Sequence, residues 1–400
     1  MSDSANKVLK KILEDIELSD GAYERATERY ESIGNWLHRE ESSCVVHEPH
    51  VFPSGSFRLG LANKPVDDKD AYDLDMTCEL KQGISKETYP QEKLKSLVGK
   101  ELELYRKAKG IQKPLDEKRR CWTLEYSDHL NFHMDIVPCI PASTTRQTQL
   151  RDSMVISSRL DKDLAGTVAS LAVSITDNEE PGYTVISNHW PVSNPEGFAK
   201  WFESRMRLAT MFLDERMAVL KANIDDLPHY RWKTPLQQAI QILKQHRDVM
   251  FSNNPDTKPI SVILTTLASR VYQGESDLAA ALQRILNDMD QYVRRDAPRV
   301  PNPVNPEEDF ADKWGSPKYA HLKLEENFIR WLTQARADFK AILSDNDPSL
   351  IVDAARHGLD VNLNKSDIAA ILGVAITGAP AIRKIQADDS QPWFNKKRRK

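Results

Sequence analysis

No run of 18 apolar residues occurs in this 400-residue chain, no two cysteines form a Cys-x-x-Cys pair, and basic residues do not outnumber acidic ones. Each absence removes a class of function. Without a long apolar run no membrane-spanning helix is expected, and the polar amphipathic start, Met1 to Asp20, does not read as a secretory signal. A cytoplasmic protein is the expectation. Four widely spaced cysteines, Cys44, Cys78, Cys121 and Cys139, suit neither a zinc site nor a disulfide framework and read as reduced structural thiols. A net charge of −4 lacks the basic face that gripping long nucleic acid needs, so long nucleic acid is not an expected partner. No internal repeat is present.

What remains is an ordinary globular composition, 28% charged and 40% hydrophobic, in a chain long enough for two or three domains. Its most informative stretch is Phe52 to Leu80, FPSGSFRLGLANKPVDDKDAYDLDMTCEL. Asp73 and Asp75 stand two apart in a short apolar run. On a strand, side chains at i and i+2 leave from the same face, so both carboxylates aim at one spot. Acids aimed at one spot repel unless a cation lies between them, and hard oxygen ligands suit Mg²⁺ or Mn²⁺. The Gly55-Ser56 turn offers backbone N–H groups and a hydroxyl suited to phosphate. Asp67, Asp68 and Asp70 read as a solvated insertion.

Helical spacing marks Ser4 to Leu18, Gly21 to Glu41 and Lys86 to Lys109. Two strands follow, Cys121 to Tyr126 and Leu130 to Val137, joined by Ser127-Asp128-His129 as a hairpin. In the second, Asp135 is a lone charge in an apolar strand. Such a charge is costly to bury unless paired or metal-bound, which makes Asp135 the natural third carboxylate. His129 and His133 do not share a vertex on a strand and read as packed or hydrogen-bonded histidines. Pro141 to Pro195 reads as strands and loops, with a short strand from Tyr183 to Ser187. Helices then dominate: one with its start at Asn194-Pro195-Glu196 and a helical pattern over Gly197 to Asn223, one opening at Thr234-Pro235, Pro259 to Tyr272 with its start at Ser261, Leu278 to Arg294, and Leu322 to Leu343. The fold class is α+β. We divide the chain into a mixed unit, 1–192, a helical unit, 193–385, and a basic tail, 386–400.

With GSFRLG, YDLDM and FHMDIVP in this order, the sequence resembles the DNA polymerase β-type nucleotidyltransferases. More narrowly, it is similar to the bacterial cGAS/DncV-like cyclic-oligonucleotide synthases of antiphage signalling systems. The likeness continues through SNPEGFAKWF, LKQHRD, PISVILTTLASRVY and NPVNPEEDFADKW. Sixteen residues separate Ser56 from Asp73, more than is usual in the superfamily, though the synthases tolerate such an insertion. The resemblance implies a palm of mixed sheet and flanking helices, with a C-terminal helical domain completing a nucleotide cleft. Asp73, Asp75 and Asp135 would hold two Mg²⁺ or Mn²⁺ ions and carry the catalysis. Gly55, Ser56, Lys244 and Ser261 would bind the triphosphate. Apart from the resemblance, Lys244 reads as a solvated helix lysine and Ser261 as a helix N-cap.

The implied activity joins nucleoside triphosphates, ATP among them, into a cyclic di- or trinucleotide and releases pyrophosphate. A HORMA-type activator is an implied partner. The alternatives are a linear or RNA-tailing nucleotidyltransferase and a catalytically silent nucleotide sensor.

Overall fold

The computed structural model describes residues 2–67, 70–127, 131–207, 233–344 and 346–374. Two helices open the chain, α1 (Ser2–Ile16) and α2 (Asp20–His38). The sheet begins with β1 (Pro49–Pro53), and the one-turn helix α3 (Gly55–Leu59) leads to β2 (Tyr72–Leu80). After α4 (Gln91–Ala108) come β3 (Asp116–Glu117), β4 (Trp122–Tyr126) and β5 (Phe132–Pro141). Helices α5 (Thr144–Ser157) and α6 (Lys162–Ser170) precede β6 (Val173–Ile175) and β7 (Val192–Ser193).

The remainder is mainly helical: α7 (Pro195–Met206), α8 (Pro235–Met250), α9 (Ser261–Val271) and α10 (Leu278–Asp288). A small hairpin, β8 (Pro301–Asn302) and β9 (Asn305–Asp309), is followed by α11 (Leu324–Ser344), α12 (Pro348–Leu359) and α13 (Lys365–Leu372). None of the described helices is long and apolar enough to cross a membrane.

The sheet runs in the order β1-β2-β5-β4-β3, with β6 on β5 and β7 on β6. β2 and β5 are parallel; β1 with β2 and β4 with β5 are antiparallel. Alternation decides what each face carries. Leu74, Met76, Leu124, Met134 and Ile136 are fully buried and pack with Tyr30, Ile33 and Leu37 of α2 and Leu94, Val98 and Leu102 of α4. Each such side chain contributes about 2 kcal/mol of apolar burial. The opposite face of the same strands is left for Asp73, Asp75, Thr123, Glu125, His133 and Asp135.

A second apolar core joins α1 through Val8, Leu9 and Ile12 to Leu243 of α8, Leu264 of α9, Leu282 of α10 and Trp331 of α11. Leu150 and Met154 of α5 and Ala165 and Val168 of α6 pack there too.

Several elements depart from the expected ones. Helices α5 and α6 occupy a stretch expected to hold strands and loops. Their caps explain them: Ser143 accepts the Arg146 N–H, and Asp161 accepts those of Asp163 and Leu164. Tyr183 to Ser187 forms no strand; Tyr183 closes a turn onto Glu180, and its carbonyl accepts the Glu92 N–H at the head of α4. Helix α4 starts at Gln91 and not at Lys86, because Pro90 biases Tyr89 toward extended backbone. The helix start expected at Asn194-Pro195 is the one found, with Asn194 capping α7; the later part of the expected helix, toward Asn223, lies outside the described residues, as do His129 and the basic tail.

Candidate functional site

Strand register builds the site. Asp75 stands directly opposite Asp135 in the parallel β2·β5 ladder, and Asp73 stands opposite His133. On the other side of β5, Thr123 faces Asp135 and Glu125 faces His133. All six side chains leave the face away from α2 and α4. The Thr123 hydroxyl donates to Asp135 Oδ1 at 2.5 Å. His133 lies between two acids, its Nδ1 3.7 Å from Asp73 and its Nε2 3.7 Å from Glu125.

The Gly-Ser turn abuts this row. Ser54 N–H donates to the Asp75 carbonyl at 2.9 Å, and Gly55 opens α3 with φ +61°. A Cβ on Gly55 would fall 1.8 Å from Asp75 Oδ2, inside any allowed contact. Glycine is therefore required here both for the left-handed backbone and for room beside the carboxylate. Gly55→Ala is expected to cost about 1–2 kcal/mol of stability. By displacing Asp75, it is also expected to lower kcat/KM about 100-fold. Thermal unfolding and steady-state kinetics on the same sample read the two effects.

The helical half holds the turn in place. On α8, Gln237, Gln241 and Lys244 lie at i, i+4 and i+7 on one buried face. They donate to the carbonyls of Leu59 (2.9 Å), Ala62 (2.9 Å) and Leu61 (2.7 Å). Asn63 returns a bond to the Gln241 carbonyl at 2.8 Å. Arg58 of α3 is clamped by Glu196 at 2.6 Å and Glu203 at 2.8 Å, both on α7. These bonds fix the loop carrying Gly55 and Ser56 relative to α7 and α8, although the Asn63 Oδ1 and Gln241 Oε1 atoms are buried without a hydrogen-bond partner.

Charge is unevenly spread. Burial raises the Asp75 carboxyl to about 7, with Asp135 and Asp73 adding to the rise and Lys244 opposing it. Burial by the surrounding protein is the main lift on the Asp73 carboxyl, a lift that solvent screens because the side chain is 81% exposed. His133 opposes that lift, Asp135 adds to it, and Lys258 and Lys244 oppose it. Lys244 is only 8% exposed, which removes its reading as a solvated helix lysine. Burial lowers it to about 8, helped by Arg247 and resisted by Asp248, Asp73 and Asp75.

Ser261 is the first residue of α9, and the cap position belongs to Ile260, whose side chain caps nothing. The Ser261 hydroxyl accepts from Arg247 at 2.9 Å. Arg247 in turn holds Asp248, which also binds Lys258 at 2.8 Å. His246 turns away to Asp338 of α11 at 3.0 Å.

The structure thus brings Asp73, Asp75, Asp135 and Gly55 together, with the Lys244 charge felt by both Asp73 and Asp75. Ser56 follows Gly55 in α3, and Ser261 reaches the neighbourhood through Arg247 and the Asp248–Lys258 pair. Thr123 and Lys258 were not singled out from sequence, and His133, set aside there as a packed or hydrogen-bonded histidine, is not packed: its side chain is 45% exposed between two acids. For Thr123 the available signal was its outward parity with Glu125; for Lys258, a basic residue just before a helix start.

The acids fit a divalent cation by their chemistry: three carboxylates on one face, two of them with raised pKa values in part because of the others. Among the described residues, no three His, Cys, Asp or Glu side chains already converge as a closed cage. A cation would have to draw the three together. A cavity of about 430 Å³ lined by Arg25, Arg29, Tyr105, Lys109 and Tyr126 lies on the helix-covered face of the sheet and is separate from this row.

Comparison with known proteins gives the family and the fold. Residues 49–139, from the head of β1 to Cys139 in β5, match the family "Cyclic GMP-AMP synthase DncV-like, nucleotidyltransferase domain". A c-di-GMP synthase of Roseivirga ehrenbergii is 30% identical over 313 residues, covering 76% of this chain and 72% of that protein. The cyclic dinucleotide synthase CdnG of Bradyrhizobium diazoefficiens is 26% identical over 333 residues, covering 78% and 71%. The solved structure of that CdnG in complex with GTP superimposes with a TM-score of 0.61 at 20% identity, over 93% of this chain and 99% of that one.

Proposed function

Because the chain belongs to the DncV-like nucleotidyltransferases, we propose that it condenses two nucleoside triphosphates into a cyclic dinucleotide at the Asp73, Asp75 and Asp135 row. The observation that carries this reading is the direct pairing of Asp75 with Asp135 beside a glycine that leaves no room for a side chain.

Asp73, Asp75 and Asp135 would hold Mg²⁺ or Mn²⁺. Such ions, when bound, supply charge to the triphosphate and lower the pKa of the attacking hydroxyl. The chain's own groups do the rest. Lys244 and Lys258 place positive charge opposite the departing pyrophosphate, and the Ser56 and Ser261 hydroxyls offer it hydrogen bonds. Asp135 stands where the proton of the attacking ribose hydroxyl is released. A P–O bond forms at the α-phosphorus as the bond to the bridging oxygen breaks, and pyrophosphate leaves. A second round closes the ring.

GTP is the first substrate to test. The names of the two relatives, a c-di-GMP synthase and CdnG, and the GTP in the CdnG complex support it. ATP is the second. A role in antiphage signalling, a HORMA-type activator and a cytoplasmic location extend the proposal along the family resemblance.

Labelled GTP and ATP, alone and mixed, incubated with the protein and Mg²⁺ or Mn²⁺, are expected to give a product resistant to phosphatase. Only phosphatase-sensitive linear products, or label attached to RNA, would overturn the proposal.

A further inference from the structure

Asp135 is the centre of a three-residue row across three strands, Asp75 on β2, Asp135 on β5 and Thr123 on β4, all on one face. Resting on the function proposed above, we infer that Thr123 is a positioning residue for Asp135, its hydroxyl turning the carboxylate so that Oδ1 is taken and the other oxygen is presented to a cation shared with Asp75.

The bond is 2.5 Å long, at the short end for a hydroxyl donating to a carboxylate, and such charge-assisted bonds are about twice as strong as neutral ones. Thr123 is 4% exposed, so water does not compete well for its single proton. The hydroxyl arrives from the neighbouring strand, with no flexible linker between donor and acceptor. Asp75 arrives from the strand on the opposite side of β5. A carboxylate held from the Thr123 side keeps its second oxygen for the Asp75 side.

The strand that carries Thr123 is itself fixed. Lys95, fully buried on α4, donates to the Arg119 carbonyl at 3.0 Å, and Trp122 Nε1 donates to the Lys95 carbonyl at 2.9 Å. Arg119 and Arg120 both grip the buried Asp177, at 2.8 and 2.9 Å. Groups that orient a metal ligand from behind typically matter 10- to 100-fold for metal affinity or activity.

The test pairs Thr123→Val, which keeps the shape and removes the hydroxyl, with Thr123→Ser, which keeps the hydroxyl. Mn²⁺ binding to the nucleotide-free protein is read by electron paramagnetic resonance, beside turnover and thermal unfolding. Thr123→Val is expected to weaken Mn²⁺ binding and lower turnover by about 10- to 100-fold while the protein stays folded, its melting temperature lowered by a few degrees. Thr123→Ser is expected to return both to near wild-type values.

Wild-type Mn²⁺ affinity in Thr123→Val, or a Thr123→Ser variant as impaired as Thr123→Val, would overturn the assignment. If Thr123→Val does not fold, Thr123→Ala takes its place under the same criteria. A wild-type protein that binds no Mn²⁺ overturns the metal-dependent reading of the acids and this assignment with it. Normal wild-type binding that Thr123→Val leaves untouched overturns only the assignment.

Discussion

Replacing Asp73 and Asp75 together by asparagine is expected to abolish nucleotide condensation, lowering turnover by about 10³-fold or more, while the protein stays folded. The size follows from what the pair does. Attack on the α-phosphate gathers negative charge on the attacking oxygen, the phosphate and the leaving pyrophosphate. Removing two of three carboxylates removes the means of holding cations against that charge. Asparagine keeps the shape and so leaves the β2·β5 ladder intact, with its full register from Tyr72 to Glu79. Circular dichroism and a product assay on the same preparation separate the two outcomes. Turnover within about tenfold of wild type would place the chemistry elsewhere.

The second large effect is on stability, and its direction is opposite to that of most substitutions. The folded protein raises Asp75 from an ordinary 3.8 to about 7. Between about pH 4 and pH 7, the folded chain therefore keeps a proton that the unfolded chain has released. Stability conferred by that proton is present at low pH and lost as pH rises through the folded value. The loss over the whole rise from 3.8 to about 7 is on the order of 4 kcal/mol, since one pKa unit corresponds to about 1.4 kcal/mol. Asp73, also raised, acts with the same sign.

Two results are expected in chelator at pH 8. Asp75→Asn melts higher than the wild type, because an amide has no charge to desolvate. The wild type gains from saturating Mn²⁺, by about 2.7 kcal/mol at a hundred times the dissociation constant. Thermal scans at pH 5 and pH 8, with chelator or Mn²⁺, check both. Equal wild-type melting at the two pH values, with no gain in Asp75→Asn, would remove the charge repulsion from the description of the site.

The legible parts of the site were those governed by local periodicity. Asp73 and Asp75 share a face because a strand alternates, and Asp135 is conspicuous as a charge among Phe132, Met134 and Ile136. Helix starts at Asn194-Pro195 and Thr234-Pro235 are readable because a capping side chain precedes proline at the first helical position. Helices α5, α6 and α12 were missed, although Ser143, Asp161 and Asp347 cap them; only α12 also has proline at its first position. In α5 only Leu150 and Met154 are buried, too few apolar positions to impose a period.

The pairing of Asp75 with Asp135, and of Asp135 with Thr123, depends on which strands become neighbours, and no local pattern specifies that. Lys244 illustrates the same limit. On a helical wheel it resembles a surface lysine, and only the docking of α8 onto the Leu59–Ala62 loop buries it. Lys258 and His133 likewise gain their charged neighbours from chain packing.

The most direct single measurement is the mass spectrum of the product formed from an equal mixture of the four nucleoside triphosphates with Mg²⁺ or Mn²⁺. The expected result is a cyclic dinucleotide containing guanine, lacking terminal phosphates, and absent when Asp73 and Asp75 are both asparagine. A linear oligonucleotide carrying a 5′-triphosphate as the end product, or a cyclic product that persists in the double variant, would contradict it.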